Sequence, residues 1–227
     1  ISTARPRVTE NVFAVARGNF QIETGLSFSR LFEDVDAKRG PELLVRFGVL
    51  PRTELRVGYD HAWVSSEGSG ENVGSFQVGG KIQLTEPGAE WGLALIPAAA
   101  WADVESATND ISPDQFLSLT LAWDRVMSAG WGIGGVIKPV WLERQDESGS
   151  TVLVSLAASR QLDERTGAFA EWAGEFPDEG ESAHVLHGGM TYLMVVNAQL
   201  DIHAGLGLTD AAPDWTFGFG LAYRAPK

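Results

Sequence analysis

The chain has 227 residues, enough for one domain, and no Pro/Gly/Ser-rich linker divides it. It contains no cysteine, which excludes a disulfide framework, a thiolate nucleophile and cysteine metal sites. The formal net charge of −13 argues against nucleic acid as a partner, because phosphates would be repelled.

The chain opens at Ile1 on a polar stretch with no signal peptide visible, so an exported protein would be in its mature form here. Residues 1–18 are irregular, with Arg5-Pro6-Arg7 and Thr9-Glu10 followed by the apolar run Val12 to Val15. They read as a segment lying at a periplasmic face or folding into a lumen as a plug.

From residue 19 to 227 the pattern changes to a two-beat alternation of apolar with polar or glycine residues. In residues 19–32, Phe20, Ile22, Leu26 and Phe28 share one face, and Gln21, Glu23, Gly25 and Ser27 the other. Residues 41–51 set Leu43, Val45 and Phe47 against Glu42, Arg46 and Gly48. Residues 54–64 set Leu55, Val57 and Tyr59 against Glu54, Arg56, Gly58 and Asp60. Similar alternation predicts strands over 73–85, 91–102, 115–127, 131–142, 151–163, 167–176, 183–195, 198–208 and 215–224, with 91–102 and 151–163 the least regular.

Tight turns at Arg52-Thr53, Pro87-Gly88-Ala89, Ala129-Gly130, Arg165-Thr166 and Val196-Asn197 alternate with longer segments at 33–40, 65–72, 103–114, 143–150, 177–182 and 209–214. Short turns at one end, long loops at the other and an even strand count are what a transmembrane β-barrel requires. The expected fold is therefore all-β: a single antiparallel barrel of about 12 strands, with short periplasmic turns and acidic extracellular loops. No stretch approaches the roughly 20 consecutive apolar residues of a membrane helix. A barrel strand needs only about 10 residues with one lipid-facing side, so the mean hydropathy of −0.04 does not oppose a membrane.

Charge and aromatic placement follow the same plan. The six long segments hold 17 of the 30 acidic residues and three of the 17 basic ones, Lys38, Arg39 and Arg144. One rim is therefore acidic, which serves solvation or draws cations to a pore mouth. All eight tryptophans fall on the outward phase. Trp91, Trp123 and Trp131 lie at periplasmic strand ends, Trp63, Trp101, Trp141 and Trp215 at extracellular ends, and Trp172 at mid-strand. Tryptophan favours the membrane–water boundary, where its ring is apolar and its N–H finds a polar partner, so the first seven read as two aromatic girdles.

The inward phase carries glycines, read as relief of crowding on the concave face, and ionisable residues: Glu23, Arg46, Glu54, Arg56, Asp60, Lys81, Asp124, Lys138, Glu171, Glu175, His187, Asp201 and His203. A lone desolvated charge is very costly, so these should pair or stay hydrated. They read either as a polar core bracing the wall or as the lining of a selective channel. Glu54, Arg56 and Asp60 are neighbours on one strand face, and Arg46 can join them from the adjacent strand.

Nothing points to catalysis. There is no P-loop, GxSxG, HExxH or CxxC, and Gly205-Leu206-Gly207 and Gly218-Phe219-Gly220 lie inside predicted strands, where they cannot form a dinucleotide turn. His184 and His187 face opposite sides of a strand. His187 and His203 share the inward face of adjacent strands, a weak candidate for a metal pair. His61 and Ser65 share the outward phase but lack an acidic orienter for lipid hydrolysis. The chain reads as a non-enzyme without cofactor or metal.

Several runs carry a family likeness. Arg5-Pro6-Arg7-Val8-Thr9-Glu10, Gly18-Asn19-Phe20-Gln21-Ile22-Glu23-Thr24-Gly25, Pro41 to Gly48 and Arg52 to Gly58 resemble the opening of the outer-membrane family named for a MetA-pathway of phenol degradation. The C-terminal runs Thr191-Tyr192-Leu193, Gln199-Leu200-Asp201, Gly205 to Trp215 and Gly218 to Arg224 are similar to its end, and the likeness weakens between about 90 and 180. The resemblance implies an outer-membrane barrel of a Gram-negative-type envelope, inserted by the barrel-assembly machinery, with the lipid bilayer as its surroundings and uptake of phenols or other aromatic compounds as its role. It implies no catalytic residues. The chain departs from the family pattern at its end, where Ala225-Pro226-Lys227 follows the Tyr-Arg pair in place of an aromatic residue. The expected function is a channel or transporter for small solutes. The alternative is a closed barrel serving as a structural or partner-binding part of the envelope.

Overall fold

In a computed structural model, residues 1–32, 35–66, 69–105, 114–144 and 147–225 are described. Among them twelve antiparallel strands form one closed barrel: β1 (Phe20–Phe32), β2 (Val35–Leu50), β3 (Thr53–Ser66), β4 (Ser69–Gln83), β5 (Trp91–Glu105), β6 (Asp114–Val126), β7 (Trp131–Arg144), β8 (Glu147–Gln161), β9 (Thr166–Pro177), β10 (Ala183–Val195), β11 (Ala198–Gly207) and β12 (Trp215–Arg224). Each strand pairs with its sequence neighbours. The ring closes where β1 meets β12, in register from Gln21 opposite Arg224 to Arg30 opposite Trp215. Closure leaves no edge of unpaired backbone groups, which is the condition for a sheet to stand in lipid.

The alternation decides which side chains meet lipid. Leu55, Val57, Phe76, Val78, Leu117, Leu119, Leu121, Phe217 and Phe219 are exposed on the outer face, while Gln21, Glu23, Arg46, Glu54 and Lys81 are fully buried inside. This inversion of a soluble protein is what one apolar and one polar face per strand must give when the apolar face is outside.

The strands run further than the alternation indicated at the acidic rim. The segments 33–40, 65–72 and 143–150, expected as loops, contribute Val35–Gly40, Ser69–Asn72 and Glu147–Ser150 to β2, β4 and β8. There the ladder continues although the side-chain pattern has become polar on both faces, because both faces are already above the apolar belt. Residues 33–34, 67–68, 106–113 and 145–146 of the acidic segments, and Pro226 and Lys227 of the C-terminal departure, lie outside the described residues.

At the opposite end the turns use left-handed backbone. Arg52 has φ 65°, and Ala129 has φ 56° within the short turn Ser128–Gly130. The irregularity of β5 and β8 also has a cause. Ala94 and Ile96 of β5 face inward and pack with Ala122, Val136 and Leu153 around Val12, forming a small apolar cluster inside an otherwise polar bore.

Candidate functional site

Residues 1–18 enter the bore from the short-turn end. The Gly18 N–H donates to the Gly48 carbonyl (2.7 Å) and the Gly48 N–H to the Asn19 carbonyl (3.0 Å), anchoring the point of entry on β2. Beyond it the segment has no strand partner, so its backbone groups must be satisfied by side chains. The inward charges of the wall do this.

Arg46 on β2 is the hub. Its Nε and Nη2 donate to the two oxygens of Glu54 on β3 (2.8 and 3.0 Å) and its Nη1 to Glu23 on β1 (2.9 Å). All three side chains are fully buried. Arg46 also donates to the carbonyls of Ser2 (2.9 Å) and Phe13 (3.0 Å). Glu23 in turn accepts the N–H groups of Ala4 (2.8 Å) and Arg5 (3.0 Å), and Glu54 that of Val15 (2.5 Å). The triad is thus nearly saturated, the condition under which buried charge is tolerable.

Two further clamps hold the middle of the segment. Glu171 on β9 accepts the N–H groups of Val8 (2.7 Å) and Thr9 (2.9 Å), and Thr9 meets the Ser155 hydroxyl at 2.7 Å. Lys81 on β4 donates to the Asn11 carbonyl (2.7 Å) and to Glu10 (3.1 Å), while Arg56 donates to the other Glu10 oxygen (2.6 Å). Burial alone would raise Glu10, but the flanking Arg56 and Lys81 cations hold its carboxyl far below the usual range.

Arg5 reaches the wall around the seam of the barrel, where it pairs with Glu42 of β2 and approaches Asp201 of β11 at 3.5 Å. Inward glycines make room for these crossings. A Cβ at Gly25 would collide with the Arg5 guanidinium, and one at Gly48 with the carbonyls of Val15 and Ala16. At these positions the absent side chain leaves space for the segment, beyond the curvature expected of inward glycine.

The predicted inward residues therefore fall into groups. Glu23, Arg46, Glu54, Arg56, Lys81, Glu171 and Asp201 are buried against the segment or its immediate supports. Asp60 does not join the Arg46 cluster; it lies 3.4 Å from Arg39, nearer the acidic rim. Asp124 and Lys138 are half-buried, and Glu175 is exposed. His187 and His203 do meet, but directly. His187 Nε2 lies 2.8 Å from His203 Nδ1, and His187 Nδ1 lies 2.6 Å from Glu171. That spacing is a hydrogen bond between rings, with no gap for an ion bound by two zinc–nitrogen bonds of about 2.0–2.1 Å.

Sequence reasoning placed Arg5, Arg7 and Glu10 in a candidate plug and Glu42 on an inward face without counting them among the lining residues, and it did not single out Leu44, Leu153 and Val185, which also face the bore. The available signal was the density of charge on the inward phase, which had to be paired or hydrated, next to an N-terminal segment with charges of its own.

The segment divides the bore into two cavities. One, about 770 Å³, opens toward the acidic rim and is lined by Ser27, Glu42, Leu44, Arg56, Leu153 and His187 among others. The other, about 410 Å³, opens toward the short-turn end and is lined by Asn11, Ser159, Phe169, Thr191 and Gln199 among others. Arg5, Pro6 and Arg7 line both, so this tripeptide is the partition.

On the outside, Trp63, Trp91, Trp101, Trp131, Trp141 and Trp215 are exposed at strand ends, and the Trp123 ring lies 5.9 Å from that of Trp91, tilted by 45°. Cations sit over several of them: Lys38 over Trp63, Arg125 over Trp91 and Arg160 over Trp131, at 5.3, 4.9 and 5.1 Å. Long basic side chains at that level lay their stems along apolar surface and lift their charge to water.

Solved structures share this fold. An outer membrane channel from Pseudomonas putida F1 superposes with a TM-score of 0.70 at 12% identity, over 95% of this chain and 98% of its own. The translocator domain of the autotransporter NalP from Neisseria meningitidis gives 0.64 at 11%, over 91% of this chain and 88% of its own. The KdgM porin gives 0.56 at 10%, over 89% and 98%. At these identities the likeness is one of fold, an outer-membrane β-barrel. No curated protein matches the sequence. The profile of one family spans residues 3–225, nearly the whole chain, and the protein thus belongs to the family described as "Putative MetA-pathway of phenol degradation".

Proposed function

We propose that this barrel is an outer-membrane channel for small solutes, small aromatic compounds among them, and that residues 1–18 act as its plug. The observation that carries the reading is the pair of cavities facing each other across Arg5-Pro6-Arg7. A bore filled only for bracing would have no need of large voids on both sides of one peptide segment. Apart from the small apolar cluster around Val12, the segment is held by hydrogen bonds to its backbone and by ion pairs, which water can replace, so it can leave without unfolding the wall. The rim-side cavity combines Leu44, Leu153 and Val185 with charged and hydroxyl groups, a lining suited to a flat solute with one polar edge. The family description adds phenols as a class to test.

The test is conductance of the purified protein in planar bilayers, intact and with residues 1–18 deleted. Silence in the intact protein and steady conductance in the deletion support a plugged channel. The competing reading, a permanently closed barrel with a structural or partner-binding role, is favoured by the saturated hydrogen bonding around Arg46. It predicts silence in both, with the deletion folded.

A further inference from the structure

The cavity at the short-turn end has an unusual charge balance. Three cations line it, Arg5, Arg7 and Arg160, and no aspartate or glutamate does so among the described residues. The other polar groups on its wall include the amides of Asn11, Gln161 and Gln199. Two of the cations are otherwise engaged: Arg5 is neutralised by Glu42 and Asp201, and Arg160 lies over the Trp131 ring.

Arg7 is different. Among the described residues no carboxylate lies within ion-pair distance of its guanidinium and no side-chain hydrogen bond reaches it. The acids whose field it feels are Glu171, Asp124 and Glu10. Glu171 is committed to Val8, Thr9 and His187, and Glu10 to Arg56 and Lys81. Burial lowers the pKa of Arg7, with those acids only partly offsetting it. Even so, a guanidinium keeps its charge throughout the physiological range, so this is a cation in want of an anion.

We propose that the cavity at the short-turn end is a binding site for a small organic anion, a carboxylate on a flat apolar body, with Arg7 as its anchor. The carboxylate takes the guanidinium fork, which matches it two bonds to two. The apolar body lies against Phe169 and Val126, which line the same cavity. The volume of about 410 Å³ is ample, since a dry cavity of about 150 Å³ already holds benzene. The two ends of the bore thus carry opposite fields: the rim loops are acidic, and the inner cavity is basic.

The inference deepens the channel reading by naming a solute class, yet it can fail separately, because equilibrium binding requires no conduction. Benzoate is titrated by calorimetry into the intact, detergent-solubilised protein, with benzyl alcohol as the neutral comparison. Saturable benzoate binding is expected, weakened at least about tenfold by Arg7→Gln, because a hydrogen-bonded ionic contact is lost. Arg7→Lys, which keeps the charge but lacks the fork, should fall between wild type and Arg7→Gln, and Thr191→Asp, which puts a carboxylate into the cavity, should abolish binding. Retained heat-modifiable migration on gels shows that each variant is folded. If benzoate does not bind, binds Arg7→Gln equally well, or binds no better than benzyl alcohol, the proposal is overturned. Conductance of the deletion variant is unaffected by any of these results.

Discussion

Replacing Arg46 by Met tests the clamp at its hub. The wild-type guanidinium makes three hydrogen bonds to Glu23 and Glu54 and two to the carbonyls of Ser2 and Phe13, with all three ionic side chains fully buried. Methionine fills similar volume but leaves two carboxylates facing each other without a cation. Breaking a buried pair in this way costs about 3–5 kcal/mol. Glu23 keeps the Ala4 and Arg5 N–H groups and Gln21, and Glu54 keeps the Val15 N–H, so the lower end, about 3 kcal/mol, is expected here. The loss is shared between wall and segment, because the segment also loses two carbonyl anchors. If most of it falls on docking of the segment, the docked-to-free ratio drops about a hundredfold, since about 1.4 kcal/mol is a factor of ten. The assay is limited proteolysis of residues 1–18 in detergent, paired with urea unfolding followed by tryptophan fluorescence. Adding Glu23→Gln and Glu54→Gln to Arg46→Met should recover most of the stability, because a neutral cluster leaves no uncompensated charge. A single variant that loses less than about 1 kcal/mol and keeps its N-terminus protected would refute the reasoning.

Gly48→Val places carbon where the carbonyls of Val15 and Ala16 now sit; protease sensitivity of residues 1–18 should rise while the barrel still migrates as folded on gels. Glu10 offers a pH test. Its carboxyl is held far below the ordinary value of 4.5 when docked, so its contribution is complete above about pH 4.5 and is lost as pH falls further. The stabilisation that Glu10 gives the N-terminus should therefore not vary with pH between pH 5 and 8, and Glu10→Gln should be equally labile throughout; a wild-type advantage over Glu10→Gln that shrinks between pH 8 and 6 contradicts this. Leu121→Arg, at mid-strand on the outer face, should cost about 2–4 kcal/mol in folding into lipid vesicles, and a change below about 0.5 kcal/mol would mean that this face does not meet hydrocarbon.

The strands were legible because their signal is local. Period-two alternation recorded which face of each residue meets lipid, so Phe217 and Phe219 could be set outward, and Thr216 and Gly218 inward, without knowing what either side touched. Chain closure and neighbour-to-neighbour pairing followed from short turns and an even count. The same locality misjudged 33–40, 65–72 and 143–150, since a ladder that has risen into water no longer needs an apolar face.

What only the tertiary structure decided was the content of the bore. Residues 1–18 have no periodicity, and nothing in Thr9-Glu10 announces that Glu10 meets Arg56 and Lys81, more than forty and seventy positions away. The sequence could require that Glu23, Arg46 and Glu54 be paired or wet, because that is a property of charge in a confined space. Which of them hold the backbone of the N-terminal segment depends on where each strand places its residue around the ring. That placement is set by twelve registers acting together. The partition at Arg5-Pro6-Arg7, and the unpaired cation that Arg7 contributes to it, exist only once the ring has closed around them.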